Sequence, residues 1–267
     1  MGINNLPAVA YDSFMGTYSA LLSPLFVDFA GLDTAATTDS GLHGADARVL
    51  DVGCGTGALI AELQSRLGPE AISAIDPSAS FVQAVRERYP RVDVRVASVE
   101  NLPFADGSFD VTLAQLVLPV VTDPVAALEQ MRRVTRGGGV VAANVWDFAG
   151  ARSPFSLFWS AAREVEPRIP DESNQHGSRE GSLHELFTAA GLHDVMEVPL
   201  EIGVEYGSFE EWFAPYAGGI GPAGRFYTSL EPARQDELQA RCRARLPPAP
   251  FTVTSRAWAA RGVVETL

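Results

Sequence analysis

Two acids that flank a glycine turn carry most of the chemistry this chain can do. In the run Val49-Leu50-Asp51-Val52-Gly53-Cys54-Gly55-Thr56-Gly57-Ala58-Leu59, Asp51 stands two residues before Gly53, and Asp76 follows further on. Glycines lack a side chain, so they take positive φ and let a ligand reach the backbone, and a helix that begins there presents free N–H groups. Gly53-x-Gly55-x-x-Ala58 also satisfies the loose dinucleotide fingerprint, which leaves a nicotinamide-type ligand open at this point. Asp51 argues against it, because its carboxylate would face a pyrophosphate at close range in a partly desolvated crevice. A ligand with positive charge and no phosphate fits better. Asp51 also has a purely local reading, as a cap of the turn through a side-chain-to-backbone hydrogen bond.

Asp76 ends a predicted strand roughly twenty residues beyond the turn, where an acid accepts hydrogen bonds from ribose hydroxyls and disfavours a 2′-phosphate. In Asp76-Pro77-Ser78 it can equally cap the helix that follows, with Ser78 as a second candidate cap. S-adenosylmethionine combines a ribose with a sulfonium and an α-ammonium and has no phosphate. It suits this pair of acids better than a dinucleotide does.

Other chemistry is excluded by residue type. All 20 basic residues are arginine and none is lysine, which removes a P-loop lysine, a Schiff-base lysine and a Tyr-x-x-x-Lys pair. Cys54 and Cys242 form neither a disulfide framework nor a metal-ligand cluster, and no metal site is expected. His176 and His184 are the candidate general bases by residue type, although the sequence supplies neither with a partner and a surface or capping role is the commoner one. His43 and His193 have less in their favour.

These residues need a scaffold. Apolar runs alternate with helix-period segments: strand 49–52, helix 58–67, strand 71–75, helix 78–88, strands 93–97 and 109–114, helix 124–135 and strand 139–146. Such alternation means a parallel sheet covered on both faces, whose ligands bind beyond the carboxyl ends of the strands. Asp51, Asp76, Ser98 to Glu100 and Gln115 each follow a strand, so they should share one site. Before the sheet, residues 12–30 read as two short helices, interrupted by Gly16 and Pro24. With 46% apolar and 20% charged residues the composition is that of a globular protein. A net charge of −13 argues against nucleic acid or an anionic membrane as partner, and the arginines at 241, 243 and 245 read as a solvated helix face. No signal segment or membrane-spanning run is recognisable, which sets the expectation of a cytoplasmic protein.

The sequence resembles class I S-adenosylmethionine-dependent methyltransferases, in the small-molecule group that includes the ubiquinone and menaquinone biosynthesis enzymes. VLDVGCGTG matches that family's first motif, AIDPSASFV its second, and VENLPFADGSFDVTLAQLVLPVVTDPVAALEQMRRVTRGGGVV its third and fourth blocks. YDSFMGTYS near the start and GPAG with the SRAWAARG ending are similar to bacterial members. The resemblance implies an α/β fold: a Rossmann-like, mostly parallel seven-stranded sheet with helices on both faces, N-terminal helices, and a helical lid inserted between late strands. It divides the chain into N-terminal helices and linker (1–46), a cofactor-binding core (47–146) and the rest of the sheet with insertions at 147–182 and 206–250 (147–267).

The implied cofactor is S-adenosylmethionine. Asp51, Gly53 and Gly55 would surround its methionine half, with Cys54 beside them; Asp76 and Pro77 would meet the ribose, and Gln115 the amino acid end. Ser98, Val99 and Glu100 would flank the adenine. Many relatives have an acid where Ser98 stands, so either weaker adenine binding or compensation from Glu100 or a backbone carbonyl is expected. Tyr11 and Tyr18 match positions that close over the cofactor, although aromatic packing of an amphipathic helix explains them equally.

Both insertions are aromatic. Phe155 and Trp159 in the first, and Trp212, Tyr216 and Phe226 in the second, are the candidates for a substrate lid around an apolar acceptor; a small satellite core accounts for many of the same residues. The expected activity is methyl transfer to an O, N or C nucleophile of a small, fairly apolar molecule. A fold that binds the cofactor but catalyses a non-methylating reaction such as a cyclisation, or only binds a ligand, is the alternative, and an NAD-dependent oxidoreductase ranks third.

Overall fold

A computed structural model describes residues 15–32, 47–169 and 172–266. Tyr11, His43 and most of the segment 1–46 lie outside the described residues. The elements in chain order are α1 (Thr17–Phe29), β1 (Val49–Val52), α2 (Ala58–Leu67), β2 (Ile72–Asp76), α3 (Ala79–Arg88), β3 (Asp93–Val96), β4 (Phe109–Gln115), α4 (Pro124–Val134) and β5 (Thr135–Trp146). They continue with α5 (Ser156–Val165), α6 (Ser182–Ala189), β6 (His193–Tyr206), α7 (Phe209–Ala217), α8 (Gly221–Ser229), α9 (Pro232–Arg245) and β7 (Phe251–Val263).

The strands form one seven-stranded sheet in the order β3-β2-β1-β4-β5-β7-β6. Pairings from β3 through β5 are parallel, whereas β7 runs antiparallel to both β5 and β6. Strand order reverses between β1 and β4. Ligand sites in open α/β sheets lie at that reversal, because the connections leave in opposite directions and open a crevice.

Side chains alternate across β1. Leu50 and Val52 join Met131 of α4 and Phe187 of α6 in one core, while Val49 joins Phe26 of α1, Leu59 of α2 and Val82 of α3 in the other. The period of two therefore turns Asp51 toward the face that carries α1 and α2. A third cluster, built from α5, α7, α8 and α9 around Phe158, Trp212 and Tyr216, stands apart from both.

Three elements differ from the sequence reading. The expected pair of N-terminal helices is a single helix over the described residues, with Pro24 inside it. Arg66 of α2 binds that stretch at the Pro24 and Leu32 carbonyls and pairs with Asp28. β5 begins at Thr135 rather than Gly139, and its pairing with β4 is irregular until Val140 opposite Val111. β6 starts three residues early at His193, again through an irregular register before Met196.

Candidate cofactor and acceptor site

The glycine turn crosses the mouth of the crevice at the end of β1. Gly53 and Gly55 hold φ of 72° and 53°, and the N–H groups of Gly53 and Cys54 both donate to the Ile75 carbonyl, at 2.8 and 2.9 Å. A Cβ on Gly53 would stand 2.5 Å from Cγ2 of Val117. Conformation and space thus both require glycine there. α2 follows directly, and no side chain caps its first turn at Gly57.

Asp51 is 1% exposed and its Oδ2 has no hydrogen-bond partner. Burial, reinforced by the nearby charge of Asp76, pushes its carboxyl up to about 8. Asp76 is better served: Oδ2 accepts from Gly55 N at 2.9 Å and Oδ1 from Ser78 N at 2.8 Å. Burial raises its pKa above the ordinary carboxylate value, and these two hydrogen bonds offset only part of that rise. The local capping role is real but does not exhaust the carboxylate, since each oxygen has a second lone pair. Ser78 is the N-cap of α3, accepting from Phe81 N at 3.5 Å.

Two cavities meet at the turn. The larger, about 430 Å³, runs from Gly53, Gly55 and Asp76 past Pro77 to Ser98, Val99 and Glu100, and is walled by the loop after β4 and by Pro222 and Arg225 of α8. The smaller lies under α1 and is lined by Asp51, Cys54, Thr56, Gly16 and Ser19. Gly53, Gly55, Gln115 and Leu116 face both. Gln115 Nε2 donates to the Ser19 carbonyl at 3.2 Å and to Ser23 Oγ at 3.0 Å, so it ties α1 to the end of β4. The Ser98 hydroxyl donates to the Glu100 carboxylate. The pair presents one anionic, hydrogen-bonded unit at the end of the cavity.

Sequence reasoning missed Leu116. It holds φ of 64°, and its N–H donates to the Asn144 carbonyl at 3.0 Å and to Asn144 Oδ1 at 3.2 Å. A left-handed leucine costs on the order of 1–3 kcal/mol and persists only where its surroundings over-determine it. Buried Asn144 supplies that constraint. Arg225, Pro222, Val120 and Val121 were also missed. Nothing in the spacing of a short, glycine-rich helix reports what it faces.

The remaining candidates lie elsewhere. Tyr18 is buried with its hydroxyl 2.5 Å from that of Tyr206 and its ring edge-on to Trp146 at 6.5 Å, and it lines neither cavity. Phe158 stacks on Tyr216 at 4.3 Å, Trp212 leans on Tyr216 at 5.2 Å, and Trp159 leans on Phe226 at 5.5 Å. With Phe155 these five named candidates belong to the third core rather than to either cavity wall. His176 and His184 are exposed and line neither cavity; the His184 backbone N–H donates to Glu197. Among the described residues, no group of histidine, cysteine and acids could hold a metal, and no helix is long and apolar enough to cross a membrane.

A Rossmann-like sheet whose switch point holds two acids and a left-handed glycine turn has the features of a site for a ribonucleoside that carries positive charge. Residues 50–143 match a family model described as a methyltransferase domain. Over 187 residues the chain is 36% identical to the ubiquinone/menaquinone biosynthesis C-methyltransferase UbiE of Geobacter sp. strain M21, a match that covers 61% of this chain and 77% of that protein. It is 42% identical over 100 residues to the ubiquinone biosynthesis O-methyltransferase of Xanthomonas oryzae pv. oryzae strain PXO99A, covering 36% of this chain and 41% of that one. The crystal structure of the YcgJ protein of Bacillus subtilis shares the fold, with a TM-score of 0.58 at 16% identity over 94% of this chain and all of the other. The chain spans about two fifths of the length of the first curated relatives it matches. It belongs to the class I S-adenosylmethionine-dependent methyltransferases, and S-adenosylmethionine is its cofactor.

Proposed function

We propose that this chain transfers a methyl group to an O, N or C nucleophile on a small, largely apolar acceptor bound in the larger cavity. The observation that carries the reading is the mixed lining of that cavity: Asp76, Glu100 and the glycines at 53 and 55 share it with the apolar side chains of Leu116, Val117, Val120, Val121 and Pro222. Val120 is 65% exposed, an apolar side chain left facing solvent at the cavity wall. The C- and O-methyltransferase relatives support the same reading of the reaction.

The residues present fit the cofactor. Asp51 Oδ2 is an unpaired, buried acceptor that an α-ammonium group would satisfy. Asp76 keeps lone pairs for ribose hydroxyls, and the Ser98–Glu100 pair offers acceptors for an adenine amino group. When bound, the cofactor supplies a sulfonium-activated methyl. The chain then needs to hold the acceptor in line and keep water out, which supplies most of the acceleration such a displacement needs. Neither His176 nor His184 lines the cavity, so the reading assigns no histidine as general base. Incubation with S-adenosylmethionine and a panel of phenols, amines and quinols, followed by detection of S-adenosylhomocysteine, tests the reading. Formation of that product with at least one acceptor is expected. Turnover of a bound substrate with no such product would favour a non-methylating reaction on the same fold.

A further inference from the structure

Arg225 stands apart from the rest of the arginines. The chain holds 33 acids against 20 arginines, and the other arginines are engaged: Arg66, Arg133 and Arg241 in ion pairs, Arg86 and Arg132 on backbone carbonyls, Arg48 over an aromatic ring. The Arg225 guanidinium has no such partner among the described residues. It is exposed in the second turn of α8 and lines the larger cavity. The acids of that cavity are already in use, Asp76 on two backbone N–H groups and Glu100 on the Ser98 hydroxyl.

A planar guanidinium without a counter-anion, held at a cavity wall, is a ready fork for a carboxylate or phosphate. The cofactor does not supply that anion. Its one carboxylate sits on the same carbon as its ammonium, whose partner Asp51 lines only the smaller cavity beneath α1, whereas Arg225 lines only the larger. The anion must therefore arrive with the acceptor. The same cavity carries the apolar side chains of Val117, Val120, Val121 and Pro222. We propose that the acceptor is an amphipathic anion, a carboxylate or phosphate ester on an apolar body, whose anionic group Arg225 binds while the body lies along the valine loop.

This rests on the methyltransferase reading above, and the test separates the two. Octanoate, octyl phosphate and uncharged octanol are titrated calorimetrically into protein saturated with S-adenosylhomocysteine, using wild type, R225Q and R225K. At least one of the anions binds wild type, binds R225Q about tenfold or more weakly, and keeps an intermediate affinity for R225K, as expected for a charge-assisted contact. Octanol and S-adenosylhomocysteine do not distinguish the variants, and the stronger anion tells carboxylate from phosphate. Equal binding of the anions to R225Q, no anion binding to wild type, or a matching loss of S-adenosylhomocysteine affinity in R225Q overturns the proposal while leaving methyl transfer intact. Failure of S-adenosylhomocysteine to bind wild type overturns both.

Discussion

Asp51 concentrates the electrostatics of the site in one carboxyl. With its pKa pushed up to about 8 by burial and by Asp76, it is protonated in the ligand-free protein at neutral pH. A cationic group placed on Oδ2 reverses that balance and expels the proton. Below about pH 8 the affinity for S-adenosylhomocysteine should therefore climb with pH, approaching a tenfold gain per unit, and level off above it. Calorimetry between pH 6 and 8 in buffers of different ionisation enthalpy measures the released proton. Asp51→Asn removes the proton release and the pH dependence together. Folding stability runs the other way: because the folded pKa lies above the unfolded value of 3.8, stability from the protonated form is complete near pH 4 and is lost as pH rises through about 8. Unliganded Asp51→Asn should accordingly melt above wild type at alkaline pH. A pH-independent affinity in wild type would remove the ammonium from Asp51.

At the scale of elements, what was legible in the sequence and what was not divide along a physical line. The glycine turn could be read because its demands are local: Gly53 needs positive φ and room against Val117, and Asp51 and Asp76 announce charge at strand ends. Pro24 misled because a helix break is read locally, whereas the helix around it is packed into the core through Leu22, Phe26 and Val27 and is tied to another helix by Arg66. The aromatics of the insertions have helical spacing, which says that a face is buried but not against what. In the structure they bury one another, and only Pro222 and Arg225 of that helical layer reach the larger cavity. Trp212, 1% exposed within that layer, tests the distinction. Trp212→Ala should cost roughly 3–5 kcal/mol through loss of its packing, seen as a lowered melting temperature, with the dissociation constant for S-adenosylhomocysteine unchanged. A lost cofactor affinity at unchanged stability would instead put Trp212 in the binding machinery.

Over the whole molecule, one sheet supplies the geometry and the apolar clusters packed on it and beside it hold it. The reversal between β1 and β4 brings Asp51 and Gln115 to neighbouring strand ends, β2 adds Asp76, and α1 closes the smaller cavity through Gln115 and Ser23. The acids at the switch point suit a cationic cofactor electrostatically. The claim on which everything else depends is that this crevice binds S-adenosylmethionine through Asp76. Calorimetric titration of S-adenosylhomocysteine into wild type and Asp76→Ala tests it most directly. The account predicts one-to-one binding to wild type and a loss of about a hundredfold or more in the variant, as expected when charge-assisted hydrogen bonds to the ligand are removed. Equal affinity in the two proteins, or no binding to wild type, would contradict it.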